Sequence, residues 1–92
     1  MPSNISIQTV QRGVYRHYKG QQYVVIGGAF HTETQESMVL YTPLRQGPDS
    51  QSDPYGAIVF ARPYAMFVGS VIVNGESVPR FMFISPQIES QL

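Results

Sequence analysis

The chain has 92 residues, of which 42% are hydrophobic, six are basic and six acidic, and none is cysteine. That length fits one small domain and not two, and the lack of cysteine excludes disulfides, thiolate metal sites and a cysteine nucleophile. A formal net charge of zero argues against strong non-specific binding to nucleic acid, which rests on net neutralisation of phosphates, though a small basic patch remains compatible with it.

The segment 1–11 is expected to be flexible or to add an edge strand, because Ile5 and Ile7 alternate with polar residues. Met1–Val10 has no basic start and no apolar core of signal-peptide type, and no apolar run nears the ~20 residues of a membrane span. With the missing cysteines, this gives the expectation of a cytoplasmic protein without membrane association. The first strand is expected at Val14–Tyr18, with Gly20 in the following turn. Tyr23–Phe30 is the strongest strand signal. Its consecutive Val24, Val25 and Ile26 imply cover on both faces, and Gly27-Gly28 suggests a bend, a bulge or a close backbone approach. "HTETQE", His31–Glu36, separates that run from the next strand, Ser37–Tyr41.

Thr42-Pro43 ends the third run, and Leu44–Gly56 reads as an irregular loop. Ala57–Ala61 is expected as a short strand. Pro63 is placed to open one helical turn, "PYAMF", at its first position. Asn74-Gly75 between "SVIV" and "SVPRFMFI" is a hairpin signal that sets Val73 opposite Glu76 and Val71 opposite Val78. Pro79 then belongs at an edge or a bulge. Residues 85–92 read as a flexible tail. The chain is therefore expected to be all-β: one domain over 12–84, a small, partly open antiparallel barrel, SH3-like, with five or six short strands and at most one helical turn.

Several short blocks occur in a fixed order: "GVYRHYKG", "HTETQE", "VLY", "ARPYAMF" and "PRF". Together, from Arg12 to about Ile84, they resemble the small bacterial domain-of-unknown-function family numbered 1653. The matching positions include Tyr15, His17, Tyr18, Gly20, Tyr23, His31, Glu33, Glu36, Tyr41, Arg62, Pro63, Met66, Phe67, Pro79, Arg80 and Phe81. The resemblance implies no activity, cofactor or catalytic residue. This chain departs from the family pattern in two places. Phe60-Ala61 stands where the family carries Trp-Val before Arg-Pro, so a stacking ring is kept and an indole donor is lost. The loop around Gly47–Tyr55 is also longer.

Three constellations carry chemistry. In the first, a loop centred on Glu33-Thr34 sets His31 opposite Glu36. The plain reading is a strand-end salt bridge, with Thr32 and Thr34 bonding the turn backbone. The sharper readings are a ligand-contacting turn or a thin metal site. In the second, "VYRHYKG" sets Arg16 and Tyr18 on one face and Tyr15, His17 and Lys19 on the other. Such interleaving suits an acidic or proline-rich peptide, or a nucleotide, as well as ordinary core and surface. In the third, Arg62 and Arg80 each adjoin a proline and an aromatic segment. Arg62 either anchors the turn, pairs with Glu33 or Glu36, or binds a ligand anion.

No nucleophile or phosphate-loop signature is present. The expectation is a non-enzymatic binding module for a peptide, partner protein or nucleotide-like anion, with no cofactor and no bound metal. A protein or peptide partner is preferred to nucleic acid. The candidate ligand-binding residues are His17, Tyr18, Tyr23, His31, Glu33, Glu36, Tyr41, Arg62 and Arg80. The alternative is a small enzyme or metal-dependent site built on His31, Glu33 and Glu36. A third reading is a structural accessory whose sheet edge pairs with another protomer.

Overall fold

The computed structural model describes residues 7–44 and 58–86. The Gly47–Tyr55 loop, Ala57 and nearly all of the polar tail lie outside them. Seven strands and one helical turn follow in order: β1 (Gly13–His17), β2 (Gln22–Phe30), β3 (Ser37–Pro43), β4 (Phe60–Pro63), α1 (Tyr64–Phe67), β5 (Ser70–Val73), β6 (Glu76–Pro79) and β7 (Phe81–Ser85). β4-β3-β2-β1-β7 form a five-stranded antiparallel sheet, and β5-β6 form a separate hairpin. Among the described residues the sheet does not close on itself, and β4 and β7 are its edges. The described residues are nearly all β, as expected, with seven strands in place of five or six.

The extra strand arises inside "SVPRFMFI". β6 ends at Pro79, which has no N–H to continue a ladder. Arg80 then bends the chain, held by its own N–H on the Gly69 carbonyl (3.0 Å) and by the Tyr18 N–H on its carbonyl (2.9 Å). β7 leaves the hairpin and pairs with β1, Phe81 facing His17 and Phe83 facing Tyr15. The hairpin itself has the expected register, Val73 with Glu76 and Val71 with Val78. Its turn residues take positive φ, 51° at Asn74 and 82° at Gly75, which is why this dipeptide serves there.

Two other boundaries differ from the sequence reading. The strand expected at Ala57–Ala61 lies at Phe60–Pro63, because Ile58 and Val59 precede the ladder on β3 and stand exposed. Thr42 reaches past that ladder, its hydroxyl donating to the Ile58 carbonyl at 2.7 Å. Pro63 is the last strand residue and the N-cap, so the helical turn begins at Tyr64 and not at Pro63. A proline is tolerated here because β4 is an edge strand.

The glycine pair in β2 carries two devices. A bulge between Val25 and Gly27 leaves Ile26 unpaired and bends the strand. At Gly28 the N-terminal segment crosses closely: an added Cβ would meet Thr9 Oγ1 at 3.1 Å and Ile7 Cδ1 at 3.3 Å. The backbone N–H of Gln8 donates to Ser37 Oγ at 2.8 Å beside that crossing. Ile7 thus packs over the sheet and forms no strand, while Ile5 lies outside the described residues.

Strand parity sorts the sheet into two faces. Tyr15, His17, Tyr23, Val25, Val39, Tyr41, Phe60, Arg62, Phe81 and Phe83 share one face by their registers. The core lies here: Tyr15, Val25, Val39, Tyr41, Phe67 and Phe81 form one buried cluster. α1 delivers Phe67 to its centre. Its ring stacks on Phe81 at 4.1 Å and 5° and meets Tyr15 and Tyr41 edge-on, each at 5.4 Å. Tyr15 satisfies its hydroxyl on the Gln11 carbonyl at 2.7 Å, and burial pushes its pKa up.

Candidate functional site

The turn at 31–36 closes as its symmetry requires: the His31 N–H donates to the Glu36 carbonyl at 2.9 Å. The expected cross-strand salt bridge between these two side chains does not form. His31 Nδ1 instead accepts the backbone N–H groups of Glu33 (3.2 Å) and Thr34 (3.3 Å). The turn directs two exposed amides toward the imidazole, which offers them a local side-chain acceptor. Glu36 accepts the Thr34 hydroxyl at 2.9 Å. Thr34 Oγ1 in turn accepts the Glu36 N–H at 3.3 Å, and the Thr32 hydroxyl reaches Glu33 at 3.4 Å. His31 Nδ1, the Thr32 and Thr34 hydroxyls and one carboxylate oxygen each of Glu33 and Glu36 are thus engaged within the turn. Among the described residues no set of three His, Asp or Glu is placed to hold a metal.

The other candidates gather at the opposite end of the sheet. Tyr41 and Glu36 are five residues apart on one extended run, roughly 17 Å at the rise of a strand. His31, Glu33 and Glu36 are therefore separate from Tyr23, Tyr41 and His17, while Arg62, paired with Val39, directs its side chain to Tyr41 and Phe81. The pairing of Arg62 with Glu33 or Glu36, weighed from sequence, is not made. Arg62 Nε donates to the Tyr41 hydroxyl at 2.9 Å, and its guanidinium lies 5.5 Å from the Phe81 ring centre. Tyr41 is itself buried, so it acts on the surface by fixing Arg62.

Around Arg62 the rings meet edge to face. Tyr23 lies 5.3 Å from Tyr41 and 5.9 Å from Phe81, and Phe60 lies 5.6 Å from Tyr41. Phe60 remains 38% exposed, which makes it the open rim of the cluster. His17 packs its ring against Phe81 at 5.0 Å and Tyr18 at 4.5 Å. Lys19 Nζ sits 5.8 Å from the Tyr18 ring centre. Arg80 is half-buried, and its Nε is enclosed without a hydrogen-bond partner. Sequence reasoning missed Phe81 as the hub of this surface. Its placement depends on the β7–β1 register, a pairing across more than sixty residues that no local pattern signals.

The electrostatics of this face are one-sided. Burial first, and then the charges of Arg62, Lys19 and Arg80, hold the His17 imidazole below the usual histidine range. Its Nδ1 accepts the Lys19 N–H at 3.2 Å, so the neutral ring carries its proton on Nε2. A lowered folded-state pKa means that protonation favours the unfolded chain. Stability is full above the unfolded value of about 6.5, declines as pH falls through it toward the folded value, and levels off below that. The urea midpoint is expected to fall between pH 7.5 and pH 5, with a smaller fall in His17→Gln; equal falls in both proteins would count against this assignment.

A shallow cleft of about 250 Å³ adjoins His17, lined also by Arg16, Tyr18, Val73, Val78, Pro79 and Met82. It links the sheet face to the β5-β6 hairpin. A larger hollow of about 430 Å³ over Gly20, Gln21, Gln22 and Leu44 has no ionisable side chain and lies apart from this chemistry.

A family model described as a protein of unknown function, DUF1653, matches residues 13–83. The chain belongs to the DUF1653 family. A crystal structure of a DUF1653 protein from Bordetella bronchiseptica has a similar fold, with a TM-score of 0.69 and 29% sequence identity. The similarity covers 94% of this chain and 100% of that one. No curated protein matches the chain. The DUF1653 match includes all of the aromatic and basic positions just described, from His17 to Phe81, together with the 31–36 turn.

Proposed function

We propose that this DUF1653 domain is a non-enzymatic binding module, and that its ligand is a peptide segment of a partner protein. The observation that carries this reading is the placement of Arg62 and His17 on one aromatic face, with the charge of Arg80 also acting on His17 and no described carboxylate paired with either arginine. A structural arginine is ordinarily matched by an acid or a carbonyl. Here Arg62 is held by a tyrosine hydroxyl and Arg80 Nε is unmatched.

The reading treats the domain as SH3-like in use: a small, partly open β-fold that grips a peptide on an aromatic groove. Tyr23 and Phe60 supply the stacking rim, Tyr18 and His17 the second wall, and Arg62 the charge. A cytoplasmic partner fits the sequence reading, and no helix among the described residues is long and apolar enough to cross a membrane. A nucleotide-like anion is the lesser choice, because a chain of zero net charge offers no extended run of cations for a phosphate backbone. The turn at 31–36 contributes by shaping the hairpin end, since His31 and Thr34 bond its backbone and Glu36 accepts the Thr34 hydroxyl.

The variant Phe60→Ser tests the surface. Phe60 is an exposed rim residue, so its loss leaves the core rings in place. Peptides selected from a mixed pool by the wild-type protein are expected to bind the variant about tenfold more weakly, as for a rim aromatic that contributes to a hot spot. Unchanged affinity, measured by fluorescence anisotropy, would remove this face from the binding site.

A further inference from the structure

The enclosed Nε of Arg80 identifies a more specific feature of that face. More than nine in ten buried polar groups find a partner, and leaving one unmatched is costly. Arg80 is fixed by its backbone on both sides, so its side chain starts from a rigid point. The Arg62 guanidinium lies over the Phe81 ring, and the His17 ring packs edge-on against that same ring. Arg80 is the residue immediately before Phe81. Arg62 and His17 therefore flank one aromatic hub, and Arg80 lies near enough for its charge to act on His17.

Each has a donor to spare. Arg62 uses Nε on Tyr41, and its other N–H groups have no acceptor among the described residues. His17 keeps its Nε2 proton, because Nδ1 is engaged by Lys19 N–H. Arg80 has its enclosed Nε–H unmatched.

We infer that Arg62, Arg80 and His17 form an oxyanion subsite beside Phe81, and that it takes a carboxylate of the bound peptide. This rests on the reading of the face as a peptide-binding surface. The planar fork of an arginine matches a carboxylate in two parallel hydrogen bonds, and neighbouring rings exclude the water that would weaken them. The charges facing the site are Arg62 from β4, Lys19 from the β1–β2 turn and Arg80 from the bend before β7. Tyr18 and Tyr23 add neutral hydroxyls, and no described carboxylate competes. The carboxylate is either a side chain of the peptide or its C-terminus.

The test is a titration of the full chain, read by NMR at the Arg62 and Arg80 Nε–H signals and at the His17 ring. The probes are N-acetyl-phenylalanine, N-acetyl-glutamate amide, N-acetyl-phenylalanine amide and phenyl phosphate. The first two carry one carboxylate each, terminal and side-chain, and the third carries none. One or both carboxylates are expected to move all three groups and to raise the pH at which His17 titrates, and the better of the two identifies the source. Arg80→Lys keeps the charge and removes the Nε–H, and it is expected to weaken that binding about tenfold. Arg62→Gln is the second variant, with folding of both checked by the dispersed amide signals of β2 and β3.

An equal response to the neutral amide would overturn the subsite while leaving the face as a binding surface. Tighter binding of phenyl phosphate would overturn the carboxylate assignment. Unchanged affinity in both variants, or silence from all four probes, would overturn the subsite. The wider reading is judged separately, from the Tyr23 and Phe60 signals with the peptide pool.

Discussion

Replacing Phe67 by alanine is expected to lower the unfolding free energy by about 3–5 kcal/mol, the cost of removing a buried aromatic ring and leaving a cavity. Phe67 is 1% exposed, and its ring touches three others: stacked on Phe81 and edge-on to Tyr15 and Tyr41. α1 is only four residues long and has no side-chain cap. A helix that short has no stability of its own, so it persists because Phe67 anchors it. The loss therefore spreads beyond one contact. It frees α1, and with α1 the bend that carries Arg80 through Gly69. A chain of this size has a total stability of roughly 5–14 kcal/mol at the usual value per residue. At the low end of that range the loss leaves the variant only marginally folded. Urea unfolding followed by tyrosine fluorescence measures this directly, and a loss below about 1 kcal/mol would show that the cluster is not the core.

Gly13→Ala is expected to cost about 2–4 kcal/mol, combining backbone strain with overpacking. Gly13 has φ +142°, a conformation side chains rarely adopt. A Cβ there would collide with the Ser85 carbonyl oxygen and come within 2.8 Å of the Pro86 carbonyl carbon. These neighbours are backbone and cannot rotate aside. Relief requires β7 to move away from β1, at the point where their register already shifts between Val14 and Tyr15. Amide hydrogen exchange is expected to accelerate most in β7, with β2 and β3 less affected. Uniform acceleration across the sheet would contradict this localisation.

Local chemistry made much of the fold legible in the sequence. Asn74-Gly75 has one inexpensive backbone solution, so its register was readable. The β-branched run in β2 announced cover on both faces, which Val24 and Val25 have and Ile26, exposed at the bulge, lacks, and the glycines after it announced the bend. The centring of "HTETQE" placed His31 across from Glu36 correctly. It could not reveal that the imidazole would serve the amides of Glu33 and Thr34 in preference to the carboxylate. That choice depends on turn geometry to within a fraction of an ångström.

The site was harder to read for a different reason. The neighbourhood of Arg62, His17 and Arg80 is assembled from β1, β4 and the bend before β7, which lie far apart in sequence. "SVPRFMFI" looks like one strand, and only long-range pairing shows that Arg80 divides it and turns Phe81 onto His17. Residue types were informative, since arginine beside aromatics drew notice. The convergence of Arg62 and His17 on the Phe81 ring was not written in any local pattern.

The most direct test of the binding face is a chemical-shift map of the isotopically labelled protein. The ligands would be a mixed peptide pool, mononucleotides, short single-stranded oligonucleotides and divalent metals, each added separately. The account predicts localised shifts from the peptides at Tyr23, Phe60, Arg62, Arg80 and His17, with the 31–36 turn unmoved. Shifts centred on His31, Glu33 and Glu36 with a divalent metal, and none at the aromatic face, would contradict it.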